Sequence, residues 1–205
     1  MRKPVKIVAL LAIAACFAFA LPKKESKTIE VVIDAAHGGK DFGAAYNNFL
    51  EKEINRSIAN KIKELNDDRE IVIHFTRPDD EFVTLAERIE AINRIEPDLV
   101  LSLHTNYHET KKGPSTVSGI DFYINKNSDE ANKYAEQLKN AFQSNMFTIR
   151  GIKEAPFYMI HKSEVPVIVV EMGFLSSELD RSYLTNEKGQ ETVANTIVDF
   201  LKEIK

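Results

Sequence analysis

The chain has 205 residues, of which 27 are Lys or Arg and 31 are Asp or Glu, for a formal charge of −4. That balance lacks the basic excess with which nucleic-acid binders meet phosphates, which argues against nucleic acid as the main partner. A single cysteine excludes a disulfide framework, and the length fits one core with little room for another.

In chain order, Arg2, Lys3 and Lys6 precede an uninterrupted apolar run at residues 7–21. The run is shorter than the roughly 20 residues a membrane-spanning helix needs and has the form of a secretory signal. Ala18-Phe19-Ala20 offers a small-x-small cleavage site, so residues 1–20 are expected to be a signal peptide and 21–27 a polar linker. Ile13-Ala14-Ala15-Cys16 offers a competing lipoprotein site that would hold the domain at a membrane through Cys16. Against it, residues 17–21 stay apolar where a lipoprotein turns polar. Either route exports the domain, to a periplasm or to the outside. Cleavage after Ala20 removes three cations and the cysteine, which takes the charge to −7.

From residue 28 onward strands and helices alternate, which predicts an α/β domain over 28–205. A strand at 30–34 leads to His37 on a turn containing Gly38, Gly39 and Gly43. Open α/β sheets place their ligands just past such a strand end, and the glycines let the backbone bend beside the imidazole. Helix 51–65 sets Ile54, Ile58, Ile62 and Leu65 on one face, with Glu51 and Glu53 at the positive end of its dipole. Strand 71–76 follows, with His74 out of phase with Ile71, Ile73 and Phe75. Thr84-Leu85-Ala86-Glu87 reads as a capping box opening a helix to about Arg94. Strand 98–104 closes on His104, and a polar loop at 106–118 is the expected flexible edge of a cleft. After strand 120–124, a helix from Ser128 turns Ala131, Tyr134, Ala135, Leu138 and Phe142 inward. Strand 167–171 closes on Glu171, and a last helix aligns Val193, Ile197, Leu201 and Ile204. The expected architecture is a single-domain twisted mixed sheet with helices on both faces. Two imidazoles and the Glu51 carboxylate at neighbouring strand ends make the His/His/Glu ligand set of a catalytic zinc site.

Several blocks resemble the zinc-dependent N-acetylmuramoyl-L-alanine amidases of the amidase-3 type, over about 28–204. Asp34-Ala35-Ala36-His37-Gly38-Gly39-Lys40-Asp41-Phe42-Gly43-Ala44 is similar to that family's Asp-Pro-Gly-His-Gly-Gly-x-Asp-x-Gly-Ala block. It departs from the pattern at Ala35 and Ala36, and Phe42 stands where the family commonly has proline; all three lie in the backbone turn. Glu51-Lys52-Glu53-Ile54-Asn55 is similar to its Glu-Lys-Asp-Val-Asn segment, while Thr76-Arg77 and Leu85-Ala86-Glu87-Arg88 look like its Thr-Arg and Leu-x-x-Arg signatures. Ser102-Leu103-His104-Thr105-Asn106 resembles its Ser-x-His-x-Asn, and 166–176 resembles its closing Pro-x-x-Leu-x-Glu-x-Gly-Phe-x-Ser. The resemblance implies a zinc-exopeptidase-like (phosphorylase/hydrolase-like) fold. It also implies a zinc ion held by His37, Glu51 and His104, with Glu171 as general base. The reaction implied is cleavage of the amide between N-acetylmuramic acid and L-alanine in peptidoglycan or muropeptides. The chain is expected to act as a monomer.

Bland readings stand beside these. His37 could be an ordinary turn histidine, His104 the end of a buried strand, and Glu51 a dipole-favoured helix acid with Glu53 as the ligand. Glu171 in an apolar strand is costly to bury without purpose. His108 reads as a solvated loop residue, and His161 could approach the cleft. Arg77 and Arg88 are expected to fix loops through ion pairs, and Asn106 to orient the ligands. Other functions with this pattern are a wall-binding or regulatory pseudoenzyme, a zinc carboxypeptidase acting on free peptides, and a structural zinc protein. The last is disfavoured because closed zinc sites are usually rich in cysteine. No segment reads as an inserted plug helix over the cleft.

Overall fold

Runs of Val, Ile and Leu build the centre of the domain. The computed structural model describes residues 28–110 and 113–205. The expected signal peptide, linker and Cys16 lie outside the described residues, and among those described no helix is long and apolar enough to cross a membrane. The strands are β1 (Ile29–Ala35), β2 (Ala45–Tyr46), β3 (Phe49–Leu50), β4 (Ile71–Phe75), β5 (Leu99–Asn106), β6 (Ile120–Tyr123), β7 (Ile149–Lys153) and β8 (Val167–Phe174). The helices are α1 (Glu51–Leu65), α2 (Leu85–Ile95), α3 (Asp129–Ser144), α4 (Tyr158–Lys162), α5 (Glu178–Leu184) and α6 (Glu187–Ile204).

Six strands form one sheet in the order β4-β1-β5-β8-β6-β7, and β2 pairs with β3 as a small hairpin. β4, β1, β5 and β8 are mutually parallel, while β6 pairs antiparallel with β8 and carries β7 with it. The sheet is therefore mixed, as the alternation of elements led us to expect. Side chains alternate between its faces. Val31, Ile33, Leu101, Leu103, Ile168 and Val170 join α1, α3 and α6 in the larger core. Val32, Val100, Val167 and Val169 meet Ile89 and Ile92 of α2 and Met159 and Ile160 of α4 in a smaller core on the other face. Helices thus cover both faces.

Local chemistry explains the element boundaries. α1 spans the predicted residues, with Ile54, Ile58 and Ile62 buried. The Thr84–Glu87 capping box is formed in both directions, with the Glu87 N–H donating to Thr84 Oγ1 (3.2 Å) and the Thr84 N–H to Glu87 Oε2 (2.8 Å). His74 lies on the face opposite Ile73 and Phe75, where its Nε2 meets Glu30 Oε2 at 3.0 Å. β5 and β8 run past His104 and Glu171, to Asn106 and Phe174, so these two residues are not at the strand ends as expected. Their ladder shifts register after His104, and the Leu175 N–H then donates to the Asn106 carbonyl. That pairing carries the strands onward.

Candidate metal centre and active site

The sheet's parallel register brings the candidate residues together. His104 on β5 lies directly opposite Glu171 on β8, and Glu171 lies opposite Asp121 on β6. By alternation all three project from the face covered by α2 and α4. Glu51 arrives from the side, at the first residue of α1, delivered by the β2–β3 hairpin. That hairpin turns through Asn47 and Asn48, both with positive φ (50° and 66°), as a two-residue type I′ connection requires.

His37, Glu51 and His104 each offer one ligand atom, and these atoms all lie within 4.8 Å of one another. His37 Nε2 is 3.2 Å from Glu51 Oε2, and His104 Nδ1 is 3.1 Å from Glu51 Oε1. The two imidazoles stand edge to face, 5.5 Å apart. The Glu51 carboxylate also accepts the N–H of Ala44 at 2.8 Å, the N–H of Thr105 at 3.0 Å and the Asn55 amide at 3.4 Å. Burial would raise its pKa, but the two histidines win and hold it well below the carboxylate range. Glu53, two residues on, is exposed and lies outside this cluster.

His37 has a second carboxylate on its other nitrogen, because Nδ1 donates to Asp41 Oδ2 at 2.9 Å. Burial lowers the imidazole pKa, yet Glu51 and Asp41 together push it up to about 9. The pKa of His104 is raised as well, against its burial, by Glu51 and Glu171. Asp41 was missed in the sequence, although its place four residues after His37, in the same glycine turn, was a usable signal. Gly43 is the close approach in that turn. Its φ is +63°, and a Cβ there would stand 2.5 Å from Glu51 Oε2 and 2.6 Å from His37 Cδ2.

Glu171 differs from Glu51 in having no donor on one oxygen. Its Oε2 is buried and accepts no hydrogen bond among the described residues. Burial pushes its pKa up to about 7. His104 opposes that rise, while Glu51 and Asp121 add to it. Asp121 itself is ion-paired to Arg150 (2.8 Å) and Lys153 (2.7 Å). The four candidates line one cleft of about 700 Å³, with Phe82, Phe157 and Tyr158 among its apolar walls.

The remaining sequence candidates fall elsewhere. His108 and His161 are exposed and do not line the cleft. Asn106 lines it, but its side chain accepts the Tyr107 N–H at 2.7 Å and bonds none of the three clustered residues. Asp41 and Asn55, not Asn106, make the bonds to His37 and Glu51. Arg88 forms the expected ion pair, to Asp34 at 2.6 Å. Arg77 does not; it donates to the backbone carbonyls of Ala35, Ala36, Lys52 and Asp79. Asp34, which sequence reading treated only as the end of a strand run, accepts from Thr76, Arg88 and Ser102.

Burial raises the Asp34 pKa, but Arg88, Ser102 and Thr76 outweigh it and set it below the usual 3.8. The contribution to stability is therefore full above pH 3.8 and is lost as pH falls through the lower folded value. Asp34→Asn leaves Arg88 buried without its counter-charge, so it should cost about 3–5 kcal/mol at pH 7. Denaturant unfolding at a series of pH values checks both points: the deficit should be flat from pH 7 to 5 and shrink below pH 3.8.

An α/β domain that gathers two imidazoles, a buried carboxylate and a second carboxylate with an unpaired oxygen over one open cleft carries the side chains that a metal-assisted hydrolase uses. More narrowly, the chain is a member of the amidase-3 family, described as N-acetylmuramoyl-L-alanine amidase, whose model matches residues 31–203. It is 33% identical over 194 residues to the uncharacterized protein YqiI of Bacillus subtilis strain 168, covering 92% of this chain and 89% of that one. It is 33% identical over 173 residues to the N-acetylmuramoyl-L-alanine amidase LytC of the same organism, covering 82% of this chain but only 34% of LytC. The fold superimposes on the crystal structure of an N-acetylmuramoyl-L-alanine amidase from Clostridium difficile 630 with a TM-score of 0.79. That match has 31% identity and covers 87% of this chain and 97% of the other.

Proposed function

We propose that the protein is an exported peptidoglycan hydrolase that cleaves the amide between N-acetylmuramic acid and the L-alanine of the stem peptide. The observation that carries this reading is the meeting of His37, Glu51, His104 and Glu171 in one cleft of a chain of this family. Residues 1–20 would be the signal peptide, 21–27 a linker and 28–205 the catalytic domain, acting as a monomer. Anchoring through Cys16 is the second route of export.

The donor set fits zinc, which His37, Glu51 and His104 would hold as three protein ligands. Two features support the fit. Glu51 presents a different oxygen to each imidazole, and one ligand atom from each of the three residues lies within 4.8 Å of the others. Asp41 holds the outer nitrogen of His37, as carboxylates do behind metal-binding histidines. When bound there, zinc would polarise the scissile carbonyl and acidify a water molecule.

This chain's own residues would do the rest. Glu171 takes the proton of the attacking water on its unpaired oxygen and later hands it to the departing amine of L-alanine. The apolar walls limit bulk water around that transfer. Arg88 lines the cleft but is already engaged with Asp34 and backbone, so it does not clamp a substrate terminus as a carboxypeptidase would require. A pseudoenzyme reading conflicts with a complete set of ligands and base.

α3 packs on the far face of the sheet through Ala131, Ala135, Leu138 and Phe142, away from the cleft. Purified residues 22–205 should therefore digest soluble muropeptides with no partner added. Digestion that starts only after a second protein is supplied would contradict this.

A further inference from the structure

We infer that Asp34 and Arg88 form a positioning pair that sets the metal affinity of the site by anchoring the backbone of His37. The inference rests on His37 being a zinc ligand. Its basis is a conformational oddity: His37 sits at φ +64°, in the left-handed region that side-chain-bearing residues rarely occupy. Such a residue persists only where its surroundings hold it there.

Asp41 holds the ring and closes the turn through its backbone bonds to Gly38, and the group that holds the His37 carbonyl is the Arg88 guanidinium. One arm, Nη2, donates to the His37 carbonyl at 2.6 Å. The other, Nη1, donates to Asp34 Oδ1 at 2.6 Å and to the Ala35 carbonyl at 3.0 Å. Both partners are buried, Asp34 at 1% and Arg88 at 2% exposure. Asp34 is fixed in turn by the hydroxyls of Thr76 (2.5 Å) and Ser102 (2.6 Å). Arg77 secures the carbonyls of Ala35 and Ala36 but does not reach His37. The turn has little room to shift as a whole, because a Cβ on the next residue, Gly38, would lie 2.2 Å from the Glu81 carbonyl. The arrangement therefore runs from a strand carboxylate, through a helix guanidinium, to the peptide carrying the imidazole. Released from it, His37 returns toward negative φ and its ring leaves Glu51.

Arg88→Lys separates charge from geometry. Lysine keeps a cation for Asp34, but a point ammonium cannot replace a planar fork that spans two acceptors. The readouts are zinc affinity by chelator competition, the visible absorption of the cobalt-loaded protein, and the unfolding midpoint of the metal-free protein. The expected result is a folded variant with zinc affinity reduced about 10–100-fold, the range seen when groups behind metal ligands are removed, and an altered cobalt band. Should Arg88→Lys not fold, Asp34→Asn combined with Arg88→Gln removes both charges together and should show the same loss of affinity. Ser102→Ala, which removes one of several partners of Asp34 and leaves the fork itself intact, should lower the unfolding midpoint with a clearly smaller loss of zinc affinity. Wild-type affinity and an unaltered cobalt band in a folded Arg88 variant would overturn the inference alone. So would an equal loss of affinity in Ser102→Ala. A native protein that binds no zinc would overturn the ligand reading, and the inference with it.

Discussion

Glu171→Gln is expected to lower turnover on muropeptides by a factor on the order of 10²–10⁴, the usual loss when a general base is removed. Zinc content and muropeptide affinity should stay near those of the native protein. Glutamine keeps the size and one acceptor but cannot take a proton. The expectation follows from the contrast between two glutamates in one cleft. Glu51 is surrounded by donors, including both histidines and two backbone N–H groups. Glu171 keeps one buried oxygen without a donor among the described residues. The first arrangement suits a ligand and the second a proton acceptor. Metal analysis beside single-turnover kinetics separates the roles. Loss of zinc in the variant would move Glu171 among the ligands, and near-full turnover would place the proton acceptor elsewhere.

The second large effect concerns the histidines. His37→Ala and His104→Ala should each abolish activity and stoichiometric zinc, because a three-ligand site reduced to two donors holds the ion poorly. Both side chains are partly exposed at the cleft, so the fold should survive. Elemental analysis of the double variant is the check, and stoichiometric zinc retained there would contradict the assignment.

Much of this was readable from residue patterns, for identifiable reasons. The buried parallel strands are continuous apolar runs, and the α1 stripe of Ile54, Ile58 and Ile62 fixes both the helix and its inward face. The Thr84 capping box marks a helix start to the residue. What escaped was mostly short or half-exposed. β7 is an edge strand, Ile-Arg-Gly-Ile-Lys, with no apolar run to signal it. α4 and α5 have five and seven residues, too few for a periodic stripe. The Asn47–Asn48 hairpin was legible in principle, since asparagine tolerates positive φ, and it explains how Glu51 reaches the site.

At the site, the candidate ligand types were visible in the sequence, but most of their supports, and the run of β5 and β8 past His104 and Glu171, were not. The place of Asp41 four residues after His37 hints at its contact with the imidazole, but nothing in the spacing says that Arg88 reaches across 51 residues to the His37 carbonyl. Those contacts depend on how the turn after β1 folds against α2. The same holds for Asn106, whose position two residues past His104 suggested an orienting role that its bond to Tyr107 does not support.

The central claim is the identity of the bond broken, and mass analysis of the products reports it directly. A soluble muropeptide incubated with the purified protein should yield a sugar carrying a free lactyl carboxylate and a stem peptide beginning with a free L-alanine amine. Products cut within the stem peptide or the glycan, or an unchanged muropeptide with zinc bound to the protein, would contradict the account.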